Sequence, residues 1–267
     1  MVTAAQAWQD VARIREASPL VHNITNHVVM NTTANALLAL GASPVMAHAP
    51  EEVEDIVALS GALVLNIGTL DAPWVEAMLK AGACAKARGV PVVLDPVGAG
   101  ASTYRTTTAL ALAAGSGPAV IRGNASEVMA LAGSVATTRG VDSVHATSEA
   151  EAAAQGLTRA YGCAVSVSGP VDIIVSAGAT TRVGNGHPLM PRITGLGCTA
   201  SAVTGAFVAI NPDAHAAAAH AMVVIGVAGE IAAARCGGPG TFWPQFLDAL
   251  HGLTEADLET RLRVRDA

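Results

Sequence analysis

Val90-Pro91-Val92-Val93-Leu94-Asp95-Pro96-Val97-Gly98-Ala99-Gly100 reads as one buried strand that ends in a polar, glycine-containing turn. The run before Asp95 is apolar without alternation, so both faces of the strand need cover. That is the condition of a parallel strand held between two layers of helix. The flanking sequence keeps the same rhythm. Apolar runs at 63–67, 119–122 and 164–168 alternate with Ala-rich stretches of helical length at 72–88, 106–114, 125–132 and 149–161. Such alternation predicts βαβ units on a mostly parallel sheet, with residues 63–67 as its third strand. After Ser168 the pattern changes. Segments 172–176, 181–183 and 189–193 are separated by Gly178 and by Asn185-Gly186, which predicts an antiparallel meander at one sheet edge with Asn-Gly as a tight turn. Helices follow at 198–210 and 214–235, and 133–148 is the least regular segment, read as a surface loop. No Pro/Ser-rich or charged linker and no internal repeat divides the chain, so residues 1–267 read as one domain.

Composition narrows the function classes. The chain is 51% hydrophobic and 13% charged, against about 25% charged in an ordinary soluble domain. Aromatic residues make up 3%, so Ala, Val, Leu and Ile must fill the interior. A surface this poor in charge points either to partial cover by other subunits or to a weakly charged monomer. The formal charge of −6 argues against nucleic acid or an anionic membrane as partner. Lys80 and Lys86 are the only lysines and neither follows a glycine, so the Gly-x-x-x-x-Gly-Lys phosphate loop is absent. Cys84, Cys163, Cys198 and Cys236 are widely spaced and show no metal-ligand pattern, and the N-terminal residues lack the basic start and apolar run of a secretory leader. Reduced thiols in a cytoplasmic protein are the expectation. The longest apolar stretch, 214–227, is broken by His215 and His220 and reads as too short and too polar to span a bilayer.

Ligands of an open parallel sheet bind beyond the carboxyl ends of its strands. Here those ends carry Asn66-Ile67-Gly68, Asp95 to Gly100, Arg122-Gly123-Asn124 with Glu127 one turn later, and Ser168-Gly169. The meander leads into Gly195-Leu196-Gly197-Cys198 directly before a helix. A carboxylate, a guanidinium, an amide, a hydroxyl and a glycine loop at a helix N-terminus therefore converge on one crest. The glycine loop can aim backbone amides and the positive end of the helix dipole at a transferring phosphoryl group. Each element also has a purely structural reading. The Gly195–Cys198 glycines can simply ease packing, Asp95 can cap a helix, Arg122 can pair with Asp95, and Asn124 with Glu127 scans as a capping box. A cap remains compatible with a metal role, because Glu127 could hold a water of a hydrated Mg²⁺.

His22-Asn23-Ile24-Thr25-Asn26, the run from Asn35 to Met46 containing Ser43-Pro44-Val45-Met46, Asn66-Ile67-Gly68-Thr69-Leu70, Asp95 to Gly100, Ile121-Arg122-Gly123-Asn124 and Thr194-Gly195-Leu196-Gly197-Cys198 together resemble the hydroxyethylthiazole kinases of the ribokinase-like superfamily. The resemblance extends from about residue 18 to about residue 240. It implies a three-layer α/β/α fold without a separate lid domain. It also implies ATP-dependent phosphorylation of the hydroxyl of 4-methyl-5-(2-hydroxyethyl)thiazole, a step of thiamine synthesis and salvage, with Mg²⁺ as cofactor. Carried over residue by residue, it implies that Arg122, Ser168 and Asn124 contact ATP, and that Asp95 and Glu127 organise Mg²⁺, largely through water. Met46 and the Gly195 backbone would hold the thiazole, with Asn26, Val28 and Gly68 nearby, and Gly195, Leu196, Gly197 and Cys198 would form the anion loop. A homotrimer with sites at subunit boundaries is also implied. The superfamily's usual Asp base after the second glycine is here Cys198, as in the thiazole kinases. At a helix N-terminus its thiol is expected to fall below about 8.5 and take the alcohol proton late; the alternative is a small packing residue that leaves room for substrate. Two rival functions are a hydrate dehydratase, which would want Asp at 198, and a non-catalytic thiazole or nucleotide sensor, which the Asp95, Arg122 and Glu127 set disfavours.

Overall fold

Successive side chains of a strand point to opposite faces, and here each face meets its own apolar core. In the strand Ala62–Asn66, Ala62 and Val64 enter one core while Leu63 and Leu65 enter the other. In Val92–Asp95, Val93 joins the first core, and Val92 and Leu94 join the second. The computed structural model describes residues 2–135 and 146–266, and the described residues are built on this division.

The chain begins with α1 (Ala4–Ala17), β1 (Leu20–Ile24), α2 (Met30–Leu40), β2 (Ser43–Val45), α3 (Val53–Leu59) and β3 (Ala62–Asn66). It continues through α4 (Ala72–Arg88), β4 (Val92–Asp95), α5 (Thr103–Ser116), β5 (Val120–Asn124), α6 (Ala125–Val135), α7 (Ala146–Tyr161) and β6 (Ala164–Ser168). After β7 (Asp172–Ser176) and β8 (Ala179–Val183) come α8 (Leu196–Ile210), α9 (Ala214–Arg235), α10 (Pro239–Gly252), α11 (Glu255–Arg261) and β9 (Val264–Asp266). The sheet order is β2-β1-β3-β4-β5-β6-β7-β8-β9. The pairs from β2 to β6 are parallel, and those from β6 to β9 are antiparallel. Helices α3 to α7 cover one face, and α1, α2 and α8 to α11 cover the other. This is the expected three-layer α/β/α fold with a mostly parallel sheet and an antiparallel edge.

Local signals fix the helix ends. Asp71 caps α4 by accepting from the Trp74 amide, Pro73 sits in its first turn, and Gly89 closes it in the left-handed conformation. Ser102 caps α5 by accepting from the Arg105 amide.

Three expectations need correction. Residues 189–193 form no strand: Met190–Arg192 is a single 3-10 turn. The third antiparallel partner comes instead from the C-terminus, with Arg182 opposite Arg265 and Val183 opposite Val264. Pro191 has no amide for a ladder, and Asn185 turns no hairpin, because β8 pairs next with β9; its side chain instead donates to Glu230 and to the Arg261 carbonyl. The 133–148 loop is also shorter than expected, since α6 extends to Val135 and α7 begins at Ala146; the rest of that segment lies outside the described residues. Finally, the apolar stretch from 214 does not stop at 227. Helix α9 runs 22 residues, long and apolar enough to cross a membrane, but its apolar window is 83% buried between α8, α10 and the sheet. It is the central helix of a core.

Candidate active site

Because β1 to β6 run the same way, their carboxyl ends open on one crest, and polar side chains there are linked from strand to strand. Asn26, beyond β1, donates to Asn66 Oδ1 at 2.8 Å. Asn66, the last residue of β3, donates to Asp95 Oδ2 at 2.6 Å. Ser201, in the second turn of α8, donates to the same oxygen at 2.8 Å. Asn26 also reaches Cys198 Sγ at 3.5 Å. All four partners of this chain other than Cys198 are buried. The sequence places Asn66 at the crest without giving it a role, and it does not single out Ser201. Asn66 carries a readable signal, an amide closing an otherwise apolar strand. Ser201 carries one only through its place one turn after Cys198, and only the docking of α8 against β4 gives that place meaning.

Asp95 is 1% exposed. Burial pushes its carboxyl up to about 6, and the charge of Glu127 adds to this, while Arg122, Ser201 and Asn66 pull the other way. Asp95 therefore does not cap a helix; it is a buried carboxylate that a cation would relieve. Arg122 donates to the Gly197 carbonyl at 2.9 Å, which ties β5 to the glycine loop, and its buried Nε has no partner among the described residues.

The capping box at α6 is real. Glu127 Oε2 accepts from the Asn124 amide and Asn124 Oδ1 accepts from the Glu127 amide. The other carboxylate oxygen, Oε1, accepts from Gly98 N at 2.9 Å. Glu127 thus bolts the turn after Asp95 onto α6 with both oxygens, whatever else it does.

Two glycines are required by close approach. Gly195 has φ +82°, and a Cβ there would lie 2.6 Å from Val29 Cγ1. At Gly68 a Cβ would lie 2.5 Å from Asn26 Nδ2. Any larger residue at either position would displace the amide chain or the glycine loop.

Helix α8 starts at Leu196, so Gly197 and Cys198 lie in its first turn. The expectation of an acidic thiol is overturned here. Burial pushes Cys198 up to about 11, the charge of Asp95 pushes it further, and the asparagine contacts only partly offset them. Burial, reinforced by the neighbouring carboxylate, outweighs the helix N-terminus.

Asp95, Arg122, Asn124, Glu127, Ser168, Gly195, Gly197 and Cys198 line one cavity of about 190 Å³, together with Val97. Of the other nominated residues, Asn26 joins the site through its hydrogen bonds. Met46, Val28, Gly68 and Leu196 do not line the cavity. Met46 follows the edge strand β2 and is half-buried, with its carbonyl near His48 Nδ1. Ser168 is half-buried, with a long contact to the Gly123 carbonyl. Asp172 was not nominated; it lies at the same end of β7, accepts from Gly169 N, and is pushed up to about 6 by burial. A larger cavity, about 390 Å³, lies at the opposite end of the sheet between α7 and the β7–β8 turn. Its lining includes Arg159 but no carboxylate and no helix N-terminus, so its size does not make it the reactive site.

Comparison with known proteins points to one family. The model of the hydroxyethylthiazole kinase family matches residues 11–256. A hydroxyethylthiazole kinase of Syntrophus aciditrophicus is 55% identical over 98% of both chains. Another, of Leptothrix cholodnii, is 53% identical over 98% of this chain and 96% of that one. The solved structure of a hydroxyethylthiazole kinase from Pyrococcus horikoshii superposes with a TM-score of 0.91 at 43% identity, covering 98% of both chains. A pyridoxal kinase from Staphylococcus aureus, solved with AMP-PCP and pyridoxal, gives 0.67 at 16% identity over 93% of this chain and 98% of its own, a likeness of fold alone.

Proposed function

The chain belongs to the hydroxyethylthiazole kinase family, and from that premise we propose that the crest cavity is where the γ-phosphoryl group of ATP passes to the hydroxyl of 4-methyl-5-(2-hydroxyethyl)thiazole. The observation that carries this reading is the unbroken chain Cys198–Asn26–Asn66–Asp95–Ser201, which links an acceptor side to a phosphate side through hydrogen bonds.

Phosphoryl transfer through a loose transition state needs positioning and charge neutralisation more than a strong base. The backbone amides of Gly195 to Cys198, at the start of α8, suit the moving phosphoryl group. Arg122 suits the phosphates behind it, with Asn124 and Ser168 as neutral contacts to ATP. The donor set also fits Mg²⁺, which keeps several waters and takes one or two carboxylates. Asp95 is buried with its carboxyl raised, and Glu127 faces the same cavity. Asp95 would be the nearer ligand, and Glu127 would act through water because its oxygens already accept two backbone amides. When bound, the ion neutralises charge on the phosphate oxygens.

On the acceptor side, Met46 and the Gly195 backbone hold the thiazole, beside Asn26, Val28 and Gly68. A thiol at about 11 is a poor base near neutral pH. Cys198 then orients the acceptor hydroxyl, whose proton passes late, as the new P–O bond forms, to an oxygen of the transferred phosphoryl group. Residues 1–267 form one domain on this reading, supported by the single nine-stranded sheet. A homotrimer with sites at subunit boundaries is supported by exposed apolar side chains at Val28 and Leu38, near the β2 edge. A cytoplasmic location is supported by four free cysteines.

The direct test is to incubate the protein with γ-labelled ATP, Mg²⁺ and hydroxyethylthiazole. Labelled thiazole phosphate is expected. Label released only as inorganic phosphate, or no turnover, would set this reading aside.

A further inference from the structure

Arg105 stands in the first turn of α5, three residues after the N-cap Ser102. A cation there opposes the helix dipole, and residues that break a local rule tend to serve a site. Its guanidinium donates to three backbone carbonyls. Nη1 reaches Ile67 O and Val97 O, both at 2.8 Å, and Nη2 reaches Gly68 O at 3.0 Å. Ile67 and Gly68 leave β3 on the acceptor side, beside Asn26. Val97 belongs to the turn after Asp95, which Glu127 bolts to α6 through Gly98. One planar group therefore spans the loops that carry the two halves of the site.

We infer that Arg105 is a positioning residue that fixes the distance between the acceptor loop at Gly68 and the phosphate turn at Val97. The inference rests on the kinase reading of the crest. In-line transfer needs reacting atoms roughly 3–3.5 Å apart, and a displacement of about 1 Å can cost on the order of 10²-fold. The inner link, Asn66 to Asp95, holds the strand ends together. The loops beyond them depend on Arg105, whose fixed fork meets three acceptors that a lysine ammonium cannot match in the same geometry.

The test compares wild type with Arg105→Gln and Arg105→Lys in steady-state kinetics with Mg-ATP and hydroxyethylthiazole. Hydrogen exchange at the Gly68 and Gly98 amides is measured alongside, without substrates. Expected is a fall of about 10²-fold in kcat for Gln with both KM values near wild type, a smaller fall for Lys, and faster exchange at both amides in Gln. Raised KM at unchanged kcat would mean direct substrate contact and overturn the inference. Lowered Tm with normal kinetics and normal exchange would mean a structural role and also overturn it. If wild type makes no thiazole phosphate, the kinase reading fails, and unaltered exchange in the Gln variant would still dispose of the brace on its own.

Discussion

Around Asp95, Arg122 and Ser168 the crest is a cavity supplied by β4, β5, β6 and the start of α8, with Asp95 1% and Arg122 8% exposed. Around Val28 and Met46 it is open: Val28 is 66% exposed, and β2 is the sheet edge. On the proposed reading, the difference follows the chemistry each half would do. Charges act more strongly away from bulk water, and on the kinase reading the fold itself buries Asp95 and Arg122 at the floor of the phosphate half. An apolar ring needs only surface to lie against, and a second copy of the chain can supply part of that surface.

The sharpest way to break the contrast is Asp95→Asn. If the phosphate half depends on this buried charge, turnover should fall by roughly 10²–10³-fold, with a higher Mg²⁺ requirement and an intact fold by circular dichroism. Normal turnover at normal magnesium would make Asp95 structural.

The acceptor half is probed by Val28→Asp. A carboxylate buried against a neighbouring subunit without a partner is costly. The variant should therefore lose oligomer in sedimentation and raise the KM for the thiazole, while the KM for ATP hardly moves. Unchanged sedimentation and unchanged thiazole KM would mean that Val28 faces solvent in the working protein.

Glu127→Gln should have a smaller effect. Both oxygens accept backbone amides, and a side-chain amide can satisfy only one. A stability loss of about 1 kcal/mol, the usual worth of a cap, should accompany a modest rise in magnesium requirement. Loss of stability with unaltered magnesium dependence would leave only the capping role.

Cys198→Ala should change least. With the thiol at about 11, the thiolate fraction near pH 7 is on the order of 10⁻⁴ and grows tenfold per pH unit up to that value. A base role would make turnover climb steeply above pH 7 in wild type, and the climb would vanish in Ala. The expected result is no such slope in either protein, with Ala within about tenfold of wild type, below the usual 10²–10⁴-fold worth of a general base. A slope present only in wild type would restore the base.

Much of this was legible in the residues. The apolar runs at 63–65 and 92–94 announced strands buried on both faces, and the polar residues that end them announced where the site would be. The antiparallel edge was legible only in part. The β7–β8 pair showed as two short strands about Gly178, but the third partner, β9, is a three-residue strand over 80 residues away in the chain. Nothing in a segment that short distinguishes a strand from a tail. Arg105 was invisible for a related reason: its acceptors are backbone carbonyls, which carry no residue identity.

The sequence by itself determined the alternation of strand and helix, the polar groups at the strand ends, the absence of a P-loop, and the likeness to one kinase family. These are local, or lie within runs of matching residues, so periodicity and motif suffice. Only the tertiary structure decided that Asp95 is buried against Asn66 and Ser201, that Cys198 is a weak acid, and that Glu127 spends both oxygens on backbone amides. The physical reason is that a group's acidity and its free hydrogen-bonding capacity depend on what surrounds it. Those surroundings come from elements as far apart in the chain as β3 and α8, which meet only when the sheet closes beneath them.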